Sequence, residues 1–277
     1  MIILPALTLT RVCAALGYGE SLVELAERVV RALPPDDFGG VIAATFSNPE
    51  RFPSLAVRAV GWLGLSAATP AFDIQMACSA YPYALYLAGR LAADTGKPVL
   101  VIDGDVQSPL VDSSDHATGA IFSDAVTATV VLADGPETET SPFAFLSHAD
   151  EALACAATGP IRMDGFKVFT FVATEVSRFL KGFLAETGVA RTELRFVPHQ
   201  ANPYMIRQLA RSLELEDRVL TLDESLRNPG SCSIPLVLAK NPESVRDARL
   251  LLSGFGAGYS AGACLVRADA AFEGKVV

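Results

Sequence analysis

The sequence is poor in charge, in histidine and in tryptophan. Charged residues make up 19% of its 277 positions, and 22 basic residues face 31 acidic ones, a net charge of −9. A nucleic-acid binder needs a basic footprint to neutralise phosphates, so that class is excluded. No apolar run reaches the ~18–20 residues that span a bilayer, and no membrane partner is expected. The apolar front end, 1–10, has no basic n-region and is cut short by Arg11, so it reads as a first strand and not as a signal peptide. Five cysteines, at 13, 78, 155, 232 and 264, form no CxxC. Their odd number and scatter exclude a disulfide framework and fit a reducing cytoplasm. The three histidines, at 116, 148 and 199, share no ligand spacing with each other or with cysteine, so no metal is expected.

What is abundant is apolar side chain, 51% of the total. A chain of this length and composition buries a sizeable core, which excludes disorder. Buried-strand runs occur at 2–7, 40–45, 98–103 and 127–133, with helical stretches at 21–33, where Ser21 is placed as N-cap, and 79–94. After a polar stretch of weak pattern, 134–160, a helix is expected at 165–187, a strand at 194–197 and a helix at 203–213. A further helix follows Cys232, and strands at 249–253 and 263–267 finish the chain. This is an α/β pattern, with sheets covered on both faces. The two parts resemble each other in order and spacing, so an internal duplication is expected, divided as 1–140 and 141–277.

Three strand-to-helix junctions carry chemistry. In FDIQMACSAYPYAL, a strand ends near Met76 and a helix begins just after Cys78, with Pro82 in its first turn. A thiol at a helix N-terminus feels the positive end of the dipole, which favours thiolate. In VPHQANP, a strand ends in His199, and Asn202 and Pro203 open a helix. In LRNPGSCSIP, Asn228 precedes a turn and a small-residue helix start. Taken alone, each has an ordinary structural role: a buried cysteine, a hydrogen-bonded histidine, a turn asparagine. Together they could converge at one end of a layered fold.

The order and flanks of these segments resemble beta-ketoacyl-ACP synthase III, from about residue 20 to Arg267. VPHQAN is close to that family's histidine signature, TLDESLRNPGSCSIP resembles its asparagine loop, and LLLSGFGAGYSAGACLVR its terminal glycine-rich hairpin. RFPS at 51–54 and RMDGFKVF at 162–169 fit as well. Chalcone-synthase-like enzymes and elongating synthases fit less well, the former in the residues just after the histidine, the latter in carrying histidine where Asn228 stands. The resemblance implies a thiolase-type layered α-β-α-β-α fold of two pseudo-duplicated halves. It implies that Cys78 takes an acyl group from a thioester and that His199 and Asn228 donate hydrogen bonds to malonyl-ACP as it loses carbon dioxide. The backbone amides of Cys78 and Ala257 would form the oxyanion hole, and Phe122, Met163 and Phe255 would line the acyl pocket. No cofactor is implied. The implied partners are an acyl carrier protein and acyl-ACP, acyl-CoA or malonyl thioesters, with the chain a dimer of identical or different subunits.

The chain departs from that family in three places. Its front end lacks the segment whose tryptophan stacks on coenzyme A, the single tryptophan being Trp62, and His116 stands where an arginine completes that clamp. The family's FGDGAGA is here FSDAVTA, at 122–128, and Arg227 replaces a small residue. The expected donor is therefore a carrier-protein thioester, docked on Arg207 and Arg211, which are four apart on one helix face beside Tyr204 and Gln208. Two other readings stay open: an acyltransferase that passes the group to an alcohol, amine or water, and a subunit that pairs with a fuller homologue.

Overall fold

The computed structural model describes residues 1–112, 114–135, 139–157 and 159–277, with the side chains of 116 and 117 left aside. Its first part contains β1 (Ile2–Pro5), β2 (Thr8–Leu16), α1 (Leu22–Arg31), β3 (Gly40–Ala44), α2 (Leu55–Leu63), β4 (Ala71–Ile74), α3 (Ala80–Thr95), β5 (Val99–Asp105), α4 (His116–Gly119) and β6 (Ala125–Leu132). The second part contains β7 (Thr140–Asp150), β8 (Leu153–Cys155), β9 (Ile161–Met163), α5 (Gly165–Phe171), α6 (Ser177–Thr187), β10 (Leu194–Pro198) and α7 (Pro203–Leu213). It ends in α8 (Ser233–Lys240), α9 (Pro242–Val245), β11 (Arg249–Gly256) and β12 (Gly258–Val276).

The strand order repeats. In the first part it is β4-β3-β5-β6-β2, and in the second β10-β11-β12-β7. Each series starts with parallel neighbours and then meets a strand, β6 or β12, that is antiparallel to both its flanks. A single parallel bridge from Phe196 to Val219 takes the place beside β10 that β4 holds beside β3. The long β12 then continues alongside β2, in parallel, and joins the two series.

Three apolar clusters make the layers. One packs α1 and α2 on β3, β5 and β6. The middle one places α3 and α8 between both series of strands, and the third packs the 165–187 helix and α7 on β10, β11 and β12. The result is a layering of helix, sheet, helix, sheet, helix. Residues 233–239 of α8 are all buried, as a helix covered on every side requires. Among the described residues, no helix is long and apolar enough to cross a membrane.

Local chemistry explains the element ends. Ser21 and Glu24 form a reciprocal capping box on α1, and Gly64 and Gly96 close α2 and α3 in left-handed conformation. Asn202 Oδ1 accepts from the Met205 amide at 2.8 Å, with Pro203 at the first position of α7. The helix expected at 165–187 is present, with one π turn at Val172–Val176.

Other expectations need correction. The front of the chain is two strands, not one, and β2 passes to α1 through a short turn. A helix not expected from the pattern, α2, is capped by Ser54 and by Asp73, whose carboxylate accepts from the Leu55 and Ala56 amides at 2.8 and 2.9 Å. The weak-pattern stretch 134–160 contains the eleven-residue β7, which pairs with β1 at one end and β12 at the other. Its start is buried on both faces and its end is solvated, so no alternation marks it in the sequence.

Candidate active site

Cys78 lies in a 3-10 turn, Ala77–Ser79, that opens α3 at the C-terminal edge of β4. Ala77 holds a left-handed φ of 43°, a strained conformation for an alanine that turns the thiol off the strand. Two glycines make room for it. A Cβ at Gly254 would sit 3.0 Å from the Cys78 carbonyl oxygen, and one at Gly256 would sit 3.1 Å from its Sγ.

The thiol is almost fully buried. Burial pushes its pKa up to about 11, and hydrogen bonds from the Ala257 and Cys78 backbone amides only partly oppose this. The thiolate expected from the helix start is thus overruled by desolvation. A pKa near 11 leaves roughly one thiol in ten thousand ionised at pH 7. The rate of Cys78 alkylation by iodoacetamide should therefore rise about tenfold per pH unit from pH 7 to 10. A plateau below pH 8, read by mass spectrometry of the Cys78 peptide, would contradict this.

His199 closes β10 with its amide donating to the Ser253 carbonyl at 2.8 Å. Its ring is buried, meets Phe255 edge-on at 5.6 Å, and has Nδ1 at 2.9 Å from Ser233 Oγ. That oxygen also accepts from the Gln200 amide at 3.1 Å. Burial lowers the histidine pKa to about 4, against the Gly230 carbonyl, which favours protonation. The ring is neutral at pH 7.

Asn228 is clamped into the first part of the chain. Its amide donates to the Ile121 carbonyl at 3.0 Å, and its own carbonyl accepts from the Ser123 amide at 3.1 Å and from Gln107 Nε2 at 3.2 Å. Its side-chain Oδ1 accepts from the Gly230 amide at 3.0 Å, so the NH₂ end is left for the cavity that the residue lines.

That cavity, ≈ 190 Å³, brings Cys78, His199 and Asn228 together with Phe122, Met163 and Phe255. Leu153, Val168 and Val172, which sequence reasoning did not single out, share its wall. Nothing local marks them; they meet the site only through the packing of β8 and the 165–187 helix. Ser233 was missed likewise, although it lies five residues beyond Asn228. A second, larger cavity of ≈ 480 Å³ shares Ile121, Ala201, Asn202 and Asn228 with the first, and Arg207 and Arg227 line it. Arg211 does not line either cavity; it is exposed, with Nε 3.8 Å from the Glu216 carboxylate. The side chain of His116 lies outside the described residues.

The model of 3-oxoacyl-[acyl-carrier-protein (ACP)] synthase III matches residues 72–150, and the model of its C-terminal part matches 184–268. The beta-ketoacyl-[acyl-carrier-protein] synthase III of Thiobacillus denitrificans is 31% identical over 276 residues, 90% of this chain and 85% of that protein. Synthase III 1 of Vibrio vulnificus is 34% identical over 84% of this chain and 78% of its own length. The crystal structure of the 3-oxoacyl-(acyl carrier protein) synthase III of Pseudomonas aeruginosa superposes with a TM-score of 0.85, at 26% identity, over 95% of this chain and 98% of that one. The corresponding synthase of Burkholderia xenovorans has the same fold, with a TM-score of 0.90 at 21% identity, covering 99% and 98%.

Proposed function

The chain belongs to the beta-ketoacyl-ACP synthase III family and is a condensing enzyme of that family, and from this premise we propose which residues do the work. The observation that carries the assignment is the single cavity shared by the Cys78 thiol, the His199 ring and the Asn228 amide. Cys78 attacks the donor thioester, its sulfur–acyl bond forms, and the donor's sulfur leaves with the thiol proton. The backbone amides of Cys78 and Ala257, which address the Cys78 sulfur, stabilise the oxyanion. The neutral state of His199 suits the second step. We assign the ring proton to Nε2, with Nδ1 held at Ser233, so that Nε2 donates, alongside Asn228 Nδ2, to the thioester oxygen of malonyl-ACP. Carbon dioxide departs, and the enolate carbon attacks the acyl-cysteine and releases Cys78. Phe122, Met163 and Phe255 enclose the acyl group.

The carrier protein docks over the mouth between α5 and the start of α7. Arg207 lines the outer cavity, and two aromatics next in sequence to lining residues are exposed, Phe166 after Gly165 at 79% and Tyr204 between Pro203 and Met205 at 54%. Carrier proteins are acidic, so a local cation offsets the repulsion from this acidic chain. Arg207→Glu should lower turnover with acyl-ACP and weaken its salt dependence, while a small thioester such as acyl-N-acetylcysteamine is turned over unchanged. Arg211→Glu should do less, because its exposed pair with Glu216 is already partly neutral. Equal rates for acyl-ACP and acyl-CoA, both insensitive to Arg207→Glu, would refute docking.

The enzyme works as a dimer of two such chains, each divided near residues 140 and 141. β4 is an edge of the sheet; Phe72 on it is 39% exposed, and Phe52, two residues before the Ser54 cap of α2, is 83% exposed. An exposed edge with apolar neighbours is stabilised by a two-fold partner. Light scattering should give twice the chain mass at micromolar concentration, and Phe52→Asp should shift it toward monomer. An active monomer would refute this.

A further inference from the structure

β5 ends in Asp103-Gly-Asp105, and both carboxyl groups are buried without solvent exposure. Side chains two apart on a strand point to one side, so the pair shares one buried space. Their surroundings differ. Asp105 Oδ1 accepts from Thr45 Oγ1 at 2.8 Å, the Phe46 amide at 2.9 Å and the Ser47 amide at 3.1 Å. Among the described residues, Asp103 Oδ1 accepts from the Ser231 hydroxyl alone, at 2.5 Å. The Oδ2 atoms of both have no partner among the described residues.

Ser231 lies between Asn228 and Ser233, the two residues that set the donor half of the site. Asp103 therefore reaches from the strand behind the nucleophile to the turn that carries the decarboxylation donors. The backbone at Asn228 is clamped separately, by Ile121, Ser123 and Gln107. Farther along the turn, Gly230 packs against Gln107 and Asp105, Ser231 hydrogen-bonds Asp103, and Cys232 Sγ reaches the Ala125 carbonyl at 3.3 Å. We propose that Asp103, carrying its proton, positions the Asn228–Ser233 turn against the cysteine half of the site.

The proton follows from the charges that face it. Among the described residues these are Asp105 on its own strand, Cys78 and Tyr81 at the start of the central helix, and Cys232 on the turn, none of them a cation. Two carboxylates on one side of a strand, both buried, cannot both ionise without large cost. Asp105 has three donors and is the better anion. Burial raises both, and Asp103, with one donor, is pushed well above the usual carboxylate range. An un-ionised Asp103 adds no negative charge behind the cavity in which an enolate must form.

The proposal rests on His199 and Asn228 as the decarboxylation donors, a reading that His199→Ala tests by itself. The experiment measures two rates on each variant: acyl uptake by Cys78, and carbon dioxide release from malonyl-ACP. Asp103→Asn keeps the shape and the absence of charge, and both rates should stay within about threefold of wild type. Asp103→Ala removes the contact, and carbon dioxide release should fall roughly a hundredfold, the cost of displaced donors. Acyl uptake should hardly change. Ser231→Ala removes the other side of the same contact and should give the same split, which serves if Asp103→Ala does not fold. The proposal is overturned if Asp103→Asn is as impaired as the alanine variant, since the charge would then be what matters. It is equally overturned if Ser231→Ala and Asp103→Ala leave the ratio of the two rates at the wild-type value.

Discussion

Exchanging His199 or Asn228 for alanine should cut carbon dioxide release from malonyl-ACP by roughly a hundredfold or more, while Cys78 still takes up its acyl group. The two residues hold complementary halves of one donor pair. His199 is kept neutral by burial and aimed by Ser233, and Asn228 is held by the bridge to Phe122 and turned by the Gly230 amide. Among the described residues, the hydrogen bonds that lower the Cys78 pKa come from the Ala257 and Cys78 backbone amides, and neither side chain is among them. The double variant should therefore be little worse than either single one if the pair acts as a unit. Rapid-quench measurement of carbon dioxide and of acyl-enzyme, side by side, separates the steps. A variant that loses both equally would show that His199 or Asn228 serves the acylation step as well.

Gly256→Ala should be nearly as damaging, and on the other step. A Cβ there would lie 2.7 Å from Cys78 Cβ and 3.1 Å from Sγ, and the backbone φ of 156° is one that side-chain-bearing residues rarely adopt. The nucleophile must shift, and with it the Ala257 amide that addresses it. A displacement on the order of 1 Å at a reacting atom can cost roughly a hundredfold. Acyl uptake by Cys78, followed by intact mass, should fall by that amount, with a melting temperature showing that the fold survives. Ala257→Gly is the control, because it keeps the amide and adds no atom. Unchanged acylation in Gly256→Ala would mean that the cysteine has room the present geometry denies it.

The parts of the site that could be read from sequence are those with their own local signals. Cys78, His199 and Asn228 each close a strand or open a turn before a helix, whereas Ala257 came with the family resemblance of the glycine-rich segment. Phe122, Met163 and Phe255 came with the family resemblance and do meet in one cavity. Ser233, Asp103, Leu153, Val168 and Val172 carry no such signal, since what brings them together is the stacking of two sheets on α3 and α8. The thiolate expectation failed for a related reason. A helix start is visible in a sequence, but the desolvation that outweighs it depends on the hairpin of β11 and β12 folding over the thiol. The strand β7 was hidden because its two ends face different surroundings, and α2 because Gly61 and its valines weaken the helical pattern that Ser54 and Asp73 restore. The pairing of Arg207 with Arg211 was sound as helix geometry, yet only Arg207 lines the outer cavity.

The most direct measurement is mass spectrometry of enzyme and carrier protein together, after acyl-ACP and then malonyl-ACP are added to the wild-type chain. The acyl group should appear on the Cys78 peptide alone, and then leave it as the carrier gains a β-ketoacyl thioester, with carbon dioxide lost. An acyl group found on Cys13 or Cys232, or one that leaves Cys78 for water or a small acceptor while malonyl-ACP stays intact, would contradict the assignment.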